Sequence, residues 1–551
     1  MPSFNLVIEK WIPFIWQDNT TAELGLQEVL VQAHRIKEIF DPSPLVTVSL
    51  HRLLLAILHR NFGPANEKEW AELWQNGKGK WDEDKLAKYF HEWQNVKHRF
   101  DLFDEKYPFY QCASLPFSQV DSKGKLKSYE KPVSNLFHEL ARDNNATLFD
   151  HTVKVNPKAV SPAESARVLV AFQPFSVGGR ITTKEGQGSS DDAPLAKGAV
   201  AFIQGANLFQ TLMLNFHKYN TEEPFKMDAD DVPAWERDKE TIAEDRRPRG
   251  YLDLLTWQSR CIRLRPELNE HCQTVVKQVV IMRGNEFPDK SKLHTYETMV
   301  AFTIRKKAKP NEDPWPAVAL QEERALWRDS LALFQSISGK RERPKTFTWL
   351  YDLIYNRVIP KSSIYNLSIM GLVKNRAKVT LWRHERLPLP LKYLEDEDLI
   401  GALSDSLKFA EKVGTLFLSP TKVDQVDYYP FGILSKSLLP LVNGKTDINE
   451  IKEIVKHLAP ARPYWASLGI SFNDLLKNLA EDRTEESSEV EYGKNTRPWW
   501  AEKVAIAARD AFEETTRSLD RSARVLKAVT QAESLFNIRL GEVVESYKKQ
   551  K

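Results

Sequence analysis

The chain has 551 residues, with 78 Lys and Arg against 75 Asp and Glu and a net charge of +3. That balance does not by itself announce nucleic-acid binding, so any basic face must be local and offset by acid elsewhere. Three scattered cysteines exclude a disulfide framework and give no CxxC pair for zinc, and no apolar run approaches the ~18 residues of a membrane span.

The length suggests about two to four domains. Apolar residues are 42% and aromatics 11%, enough for sizeable cores. The opening MPSFNLVIEKWIPF lacks the basic-then-apolar pattern of a signal peptide, so the expected location is the cytoplasm.

Phe4, Leu6 and Ile8 alternate and predict a strand closed by Trp11-Ile12-Pro13. Residues 26–39 predict a helix. Ser49 is a candidate N-cap for the apolar run that follows, with Gly63 at its end. Further helices are expected over 66–76 and 82–96, then a buried aromatic connector over 99–111. Ser161-Pro162-Ala163-Glu164 is a capping box with proline at the first helical position, and that helix should end near Pro174. The stretch 182–198 is polar and rich in Gly and Ser, and reads as a mobile loop.

Residues 206–219 predict another helix, and 274–282 and 298–304 predict strands. Helices are expected over 320–336 and 346–354. Residues 364–387 predict a hairpin with a basic tip, Lys374-Asn375-Arg376. After Pro390 long helical patterns dominate, over 398–416, 448–458, 473–479, 498–516 and 519–547. An acidic loop is expected over 481–493. The fold class is therefore α+β: a large mixed N-terminal domain over 1–388 and a C-terminal four-helix bundle over 389–551.

Individual motifs are ambiguous on their residues alone. Gly178-Gly179 fits an ordinary turn as well as a loop whose backbone approaches a ligand. Lys277, in VVKQVVIM, fits a solvent-facing position on a half-buried strand. The basic tip fits a solvated turn or a contact with a polyanion. His138-Glu139 begins like a zinc-protease helix but lacks the second His. No paired-carboxylate or Ser-His-Asp arrangement stands out, and no catalytic residue, metal or cofactor is assigned.

Taken in order, several stretches resemble the CasA family, the large subunit of the type I-E CRISPR surveillance complex Cascade. They are FNLVIEKWIPF at the start, DLFDEKYPFYQ (101–111), ATLFDH (146–151), FSVGG (175–179), KQVVIMRG (277–284) and NLSIMGLVKNRAKVTLWRHER (366–386). The last is the closest match, and the helical C-terminus fits the family's bundle.

The resemblance implies a non-enzymatic subunit that recognises the PAM of double-stranded target DNA through the minor groove. Ser176, Val177, Gly178, Gly179 and Lys277 would take part in recognition. Asn375, Arg376 and Ala377 would form a wedge that starts strand separation and R-loop formation, with Ala377 or Lys378 as the alternative holder of its tip and Lys378 also a DNA-binding residue. Phe149 would dock the subunit near the crRNA 5′ end. The implied partners are crRNA, CasB, CasC, CasD, the crRNA endonuclease and a recruited helicase-nuclease, with no membrane. The chain departs from the family pattern at Ser176 and Val177, where more glycine is expected, and at Arg376, where an uncharged amide is expected. The rival functions are a scaffold in another assembly and a hydrolase using His138 or His151.

Overall fold

The computed structural model describes residues 2–76, 79–120, 124–138, 158–183, 186–219, 228–241, 243–288, 293–309, 312–375, 378–439, 447–486 and 489–549. The chain divides into two compact units. One is Met1–Glu322 with Gln335–Arg386, and the other is Glu323–Phe334 with Leu387–Lys551. The first mixes strands and helices and the second is mainly helical, so the fold is α+β.

The first unit begins with an antiparallel sheet in the order β2-β1-β3. Its strands are β1 (Ile12–Trp16), β2 (Thr21–Leu24) and β3 (Ile36–Ile39), with α1 (Leu26–Val31) between the last two. The strand expected over 4–8 does not form. The Asn5 side-chain oxygen accepts the Val7 N–H at 3.0 Å, and the Asn5 carbonyl accepts from Ile8 and Glu9, which turns the chain. Leu6 and Val7 are consequently both buried. The helix expected over 26–39 stops at Val31 because residues 36–39 pair with β1 instead.

α2 (Pro44–Phe62) is buried at every residue from Pro44 to His59. Ser43, not Ser49, is its N-cap, and the Ser49 hydroxyl bonds back to the Leu45 carbonyl at 2.8 Å. α3 (Glu67–Asn76) and α4 (Glu83–His91) follow, and Asp82 caps α4 by accepting the Lys85 N–H at 2.9 Å. The 99–111 connector buries Phe100, Leu102, Phe109 and Tyr110.

β4 (Ser118–Val120) and β5 (Leu126–Ser128) form a short ladder, and β6 (Glu130–Pro132) follows. α5 (Pro162–Phe175) starts at the expected cap, where the Ser161 hydroxyl accepts the Glu164 N–H at 3.2 Å. It leads into β7 (Gly179–Thr183) and β8 (Gly186–Ser190), so part of the stretch expected to be mobile is a paired strand. Next come β9 (Val200–Gln204), α6 (Leu208–Leu214), α7 (Tyr251–Leu255), β10 (Arg260–Leu268) and β11 (Thr274–Arg283). The main sheet runs β10-β11-β7-β8, with β6 also paired to β11.

α8 (Leu293–Tyr296) precedes β12 (Phe302–Thr303), which is all that forms of the strand expected over 298–304. α9 (Leu331–Phe334) belongs to the second unit. β13 (Arg341–Glu342) pairs with β12, and α10 (Lys345–Tyr355) leads to the hairpin strands β14 (Ile364–Asn375) and β15 (Lys378–Pro390). β14 lies between β15 and β9.

In the second unit, α11 (Glu397–Gly414) precedes the shorter α12 (Pro430–Leu438) and α13 (Ile448–Leu458). α14 (Ala461–Glu481), the hairpin β16 (Arg483–Glu486) and β17 (Glu489–Tyr492), α15 (Thr496–Arg517) and α16 (Ala523–Lys548) complete it. Buried Leu399, Leu403, Leu407, Ala410 and Val413 recur at helical spacing on α11, as a core-facing stripe requires. Phe512 and Phe536 pack with ring centroids 4.9 Å apart. Residues 323–334 add to this core: Trp327 stacks on Phe472 at 4.6 Å, and Arg328 pairs with Glu411 at 2.8 Å. The acidic stretch expected as a loop is a hairpin, tied down where the Tyr492 hydroxyl donates to Asp396 at 2.7 Å. No helix among the described residues is long and apolar enough to cross a membrane.

Candidate nucleic-acid interface

The glycine loop follows directly from the end of α5. Ser176 is buried, and its carbonyl accepts the Ala193 N–H at 2.8 Å, while the Pro174 carbonyl accepts from Leu195 at 2.9 Å. The loop is thus laced to the chain that leaves β8. Gly178 permits this closeness. A Cβ there would lie 2.8 Å from both the Asp192 nitrogen and the Ser190 carbonyl oxygen. Gly179 is exposed and has φ +152, a conformation open to glycine and costly for other residues. Buried Arg260 braces the loop from behind, donating to the Val177 carbonyl at 3.2 Å and the Asp191 carbonyl at 2.9 Å. Burial pulls its guanidinium down to about 10.

The hairpin approaches the same place. β14 pairs with β9 only from Asn366 to Met370, and then runs on toward its tip. Gly371 lets it pass the Gly198 carbonyl, which a Cβ would meet at 2.6 Å. The Lys374 ammonium forms an ion pair with Asp192. Asp192 also accepts the Gly178 N–H at 2.8 Å and pairs with Lys197 at 2.9 Å. Burial raises the Asp192 carboxyl, but Lys374, the Gly178 N–H and Lys197 outweigh it and hold the group down to about 2. Burial pulls Lys374 below its ordinary value, with Asp192 opposing. A cavity of about 850 Å³ adjoins this junction, lined among others by Gly178, Asp192, Arg260, Trp257 and Lys374.

The described residues therefore bring Ser176, Val177, Gly178 and Gly179 to one arm of the hairpin. Lys277 lies on β11, the strand of the same sheet that β7 joins. β6 holds the flank of β11 from Gln278 to Val280, and β7 joins only at Met282. β7 runs parallel to β11, so its first residue, Gly179, lies on the Lys277 side of that pairing. Its ammonium pairs with Glu267 at 2.6 Å, and both side chains are more than a third exposed. Asn375 and Lys378 end and begin the hairpin strands. Arg376, Ala377 and Phe149 lie outside the described residues, as does His151. His138 is buried and stacks on Phe172 at 5.5 Å. Cys112 and Cys261 are buried, and both thiols donate to the Thr241 carbonyl. Among the described residues no group of three or more His, Cys, Asp or Glu is placed to hold a metal ion.

Asp192, Lys197 and Arg260 do not stand out in the sequence as site residues. Asp192 lies in a polar Gly- and Ser-rich stretch where acid is unremarkable, and its partner Lys374 is 182 residues away. Only the fold brings the two together.

The family model for CRISPR-associated protein Cse1 matches residues 5–511. A curated relative, CRISPR-associated protein CasA/Cse1 of Thermus thermophilus, is 30% identical over 568 residues, covering 99% of each chain. The crystal structure of Cse1 from Acidimicrobium ferrooxidans superposes with TM-score 0.78 at 24% identity, covering 100% of this chain and 99% of that one. A chain of a CRISPR RNA-guided surveillance complex superposes with TM-score 0.69 at 21% identity, covering 97% of this chain and 100% of that one.

Proposed function

The chain belongs to the CasA/Cse1 family, and on that premise we propose that it is the PAM-recognising subunit of a crRNA-guided Cascade complex in the cytoplasm. The observation that carries this reading is the meeting of the glycine loop and the hairpin at Asp192. A backbone-presenting loop and a projecting β-arm on one unit suit two successive tasks on duplex DNA.

The first task is recognition. The minor groove is only about 6 Å wide and carries a degenerate code. The loop backbone at exposed Gly179, with no Cβ and with Gly178 packed behind it, brings peptide groups close to base edges there. Lys277 supplies a cation to minor-groove acceptors or to a phosphate. The second task is opening. The tip from Asn375 to Lys378 wedges beside the PAM and unstacks a step, at a cost of a few kcal/mol that contacts to the opened duplex offset. Guide pairing then exchanges one duplex for another at nearly balanced energy, so the protein nucleates the R-loop without reading the whole target.

Phe149 and its loop dock the chain near the crRNA 5′ end. The helical unit contacts CasB and helps license docking of the helicase-nuclease, with CasC, CasD and the crRNA endonuclease completing the assembly. Strand cleavage belongs to the recruited nuclease, and this chain is not an enzyme.

The test is reconstitution of the full chain with crRNA and the sister subunits, followed by R-loop formation on duplex and pre-opened targets. Arg376→Ala is expected to slow duplex opening about tenfold while changing initial duplex binding less than about threefold. An unchanged opening rate would move the wedge to another residue of the tip.

Lys277→Ala has a smaller expected effect. An exposed ion pair is worth about 0–1 kcal/mol, so losing the bond to Glu267 hardly alters stability and Lys277 can change partners at little cost. PAM-dependent duplex binding should fall about fivefold, and binding to a pre-opened bubble should hold. Equal losses on both substrates would remove Lys277 from PAM recognition. Raising salt should weaken the non-specific component most, because that component rests on phosphate contacts.

A further inference from the structure

We infer that Asp192 is a positioning residue that fixes the glycine loop against the hairpin, so that PAM contact and strand opening act as one unit; this rests on the function proposed above. Asp192 sits immediately beyond β8 and is held by three segments of chain. Its Oδ1 accepts both the Gly178 N–H at 2.8 Å and the Lys374 ammonium, and its Oδ2 faces Lys197 at 2.9 Å. Gly178 is one residue from Gly179, and Lys374 is two residues from Arg376. A displacement of the glycine loop against a bound duplex is therefore passed to the base of the hairpin through this carboxylate.

The geometry leaves that junction little slack. The side chains of Lys374 and Asp192 are only 11% and 20% exposed, so water competes weakly for the pair. Any side chain at Gly178 would collide with residues 190–192. The Ser176 and Pro174 carbonyls fasten Ala193 and Leu195 to the same loop. On the other side, the Gly198–Gly371 approach holds β14 against the chain that follows Lys197. Asp192 is thus a polar contact between two elements whose backbones are each already fixed.

Lys197 has a different part. It is 65% exposed and bonds the outer oxygen, so it shields the carboxylate without joining the loop to the hairpin. Removing Lys197 should therefore matter less than removing Lys374. That ordering separates a mechanical junction from a simple sum of positive charge.

The experiment uses the complex reconstituted with crRNA and compares duplex targets, with and without a PAM, against a pre-opened bubble. Asp192→Asn keeps the volume and a carbonyl that can accept the Gly178 N–H but removes the charge that holds Lys374. Lys374→Met is the second variant, and keeps most of the side chain's length. Each is expected to slow PAM-dependent opening about tenfold while changing bubble binding less than about twofold. The double variant should be no more than about twofold worse than either single one, because both break the same contact. Lys197→Met should change opening less than about threefold.

Additive losses in the double variant would overturn the inference. So would equal losses on duplex and bubble, which would mark Asp192 as merely structural. If Asp192→Asn leaves opening unchanged while Gly179→Asp abolishes PAM dependence, the junction is wrong and the proposed function stands. If neither variant alters PAM dependence, the proposed function itself fails.

Discussion

Gly179→Asp is expected to weaken PAM-dependent duplex binding by the assembled complex about 100-fold, while leaving binding to a pre-opened bubble within about threefold. Two separate costs combine. Gly179 holds φ +152, and a residue with a Cβ pays about 1–2 kcal/mol to adopt such a backbone or else moves the loop. The new carboxylate also stands at an exposed loop offered to a polyanion, where like-charge repulsion and desolvation add a further kcal/mol or so. Their sum, near 2.7 kcal/mol, corresponds to the 100-fold loss. Gly179→Ala carries only the backbone cost and should lose about tenfold. Binding titrations of wild type, Gly179→Ala and Gly179→Asp on the two substrates check the split. If Ala were as damaging as Asp, conformation alone would be at fault. If neither mattered, the loop would not touch DNA.

Glu297→Ala is expected to destabilise the first unit by about 3–5 kcal/mol, the cost of stranding a buried charge. Arg52, in the middle of α2, pairs with Glu297 at 3.0 Å, and their side chains are 2% and 0% exposed. Glu297 also accepts the Thr298 and Met299 backbone N–H groups, both at 3.0 Å. Arg52 reaches the Leu254 carbonyl at 3.4 Å as well. Removing the carboxylate leaves a guanidinium and two peptide donors without it. Replacing both charged residues, as Arg52→Met with Glu297→Leu, removes the stranded charge but still leaves the two buried peptide donors without the carboxylate. It should therefore recover only part of the loss. Urea unfolding read at the transition of the first unit gives the comparison. A loss below about 1 kcal/mol would mean that water reaches Arg52 in the native state.

Legibility in the sequence followed the range of the interaction. The long helices α11, α15 and α16 carry apolar periodicity over many turns, and α5 carries its own cap at Ser161 and Glu164. Those signals are local, and they give nearly the right bounds. Short apolar stretches misled. Phe4, Leu6 and Ile8 alternate like a strand, yet the Asn5 side chain captures the Val7 N–H and bends the chain. The apolar pattern over 26–39 is continuous, but its last residues are taken by β1. The 481–493 stretch looks like a charged loop because the cross-strand pairing that makes it a hairpin leaves no mark on composition.

The same rule applies to the candidate site. Gly178, Gly179 and the basic hairpin stand out by residue type. Their adjacency does not, since it depends on Asp192 meeting Lys374 from 182 positions away. Trp327 and Arg328 likewise give no sign in sequence that they join the helical unit beside Phe472 and Glu411. Lys277 reads as part of a strand, but that β6 and β7 share one flank of that strand emerges only from the fold.

The central claim is that this chain recognises a short duplex element and opens DNA beside it. The most direct measurement is R-loop formation by the wild-type reconstituted complex on a library of targets randomised beside the protospacer, in duplex and in pre-opened form. Opening rates are expected to vary by about 100-fold or more across the duplex library and by less than about threefold across the pre-opened one. Uniform rates across the duplex library, with the guide fully matched, would contradict it.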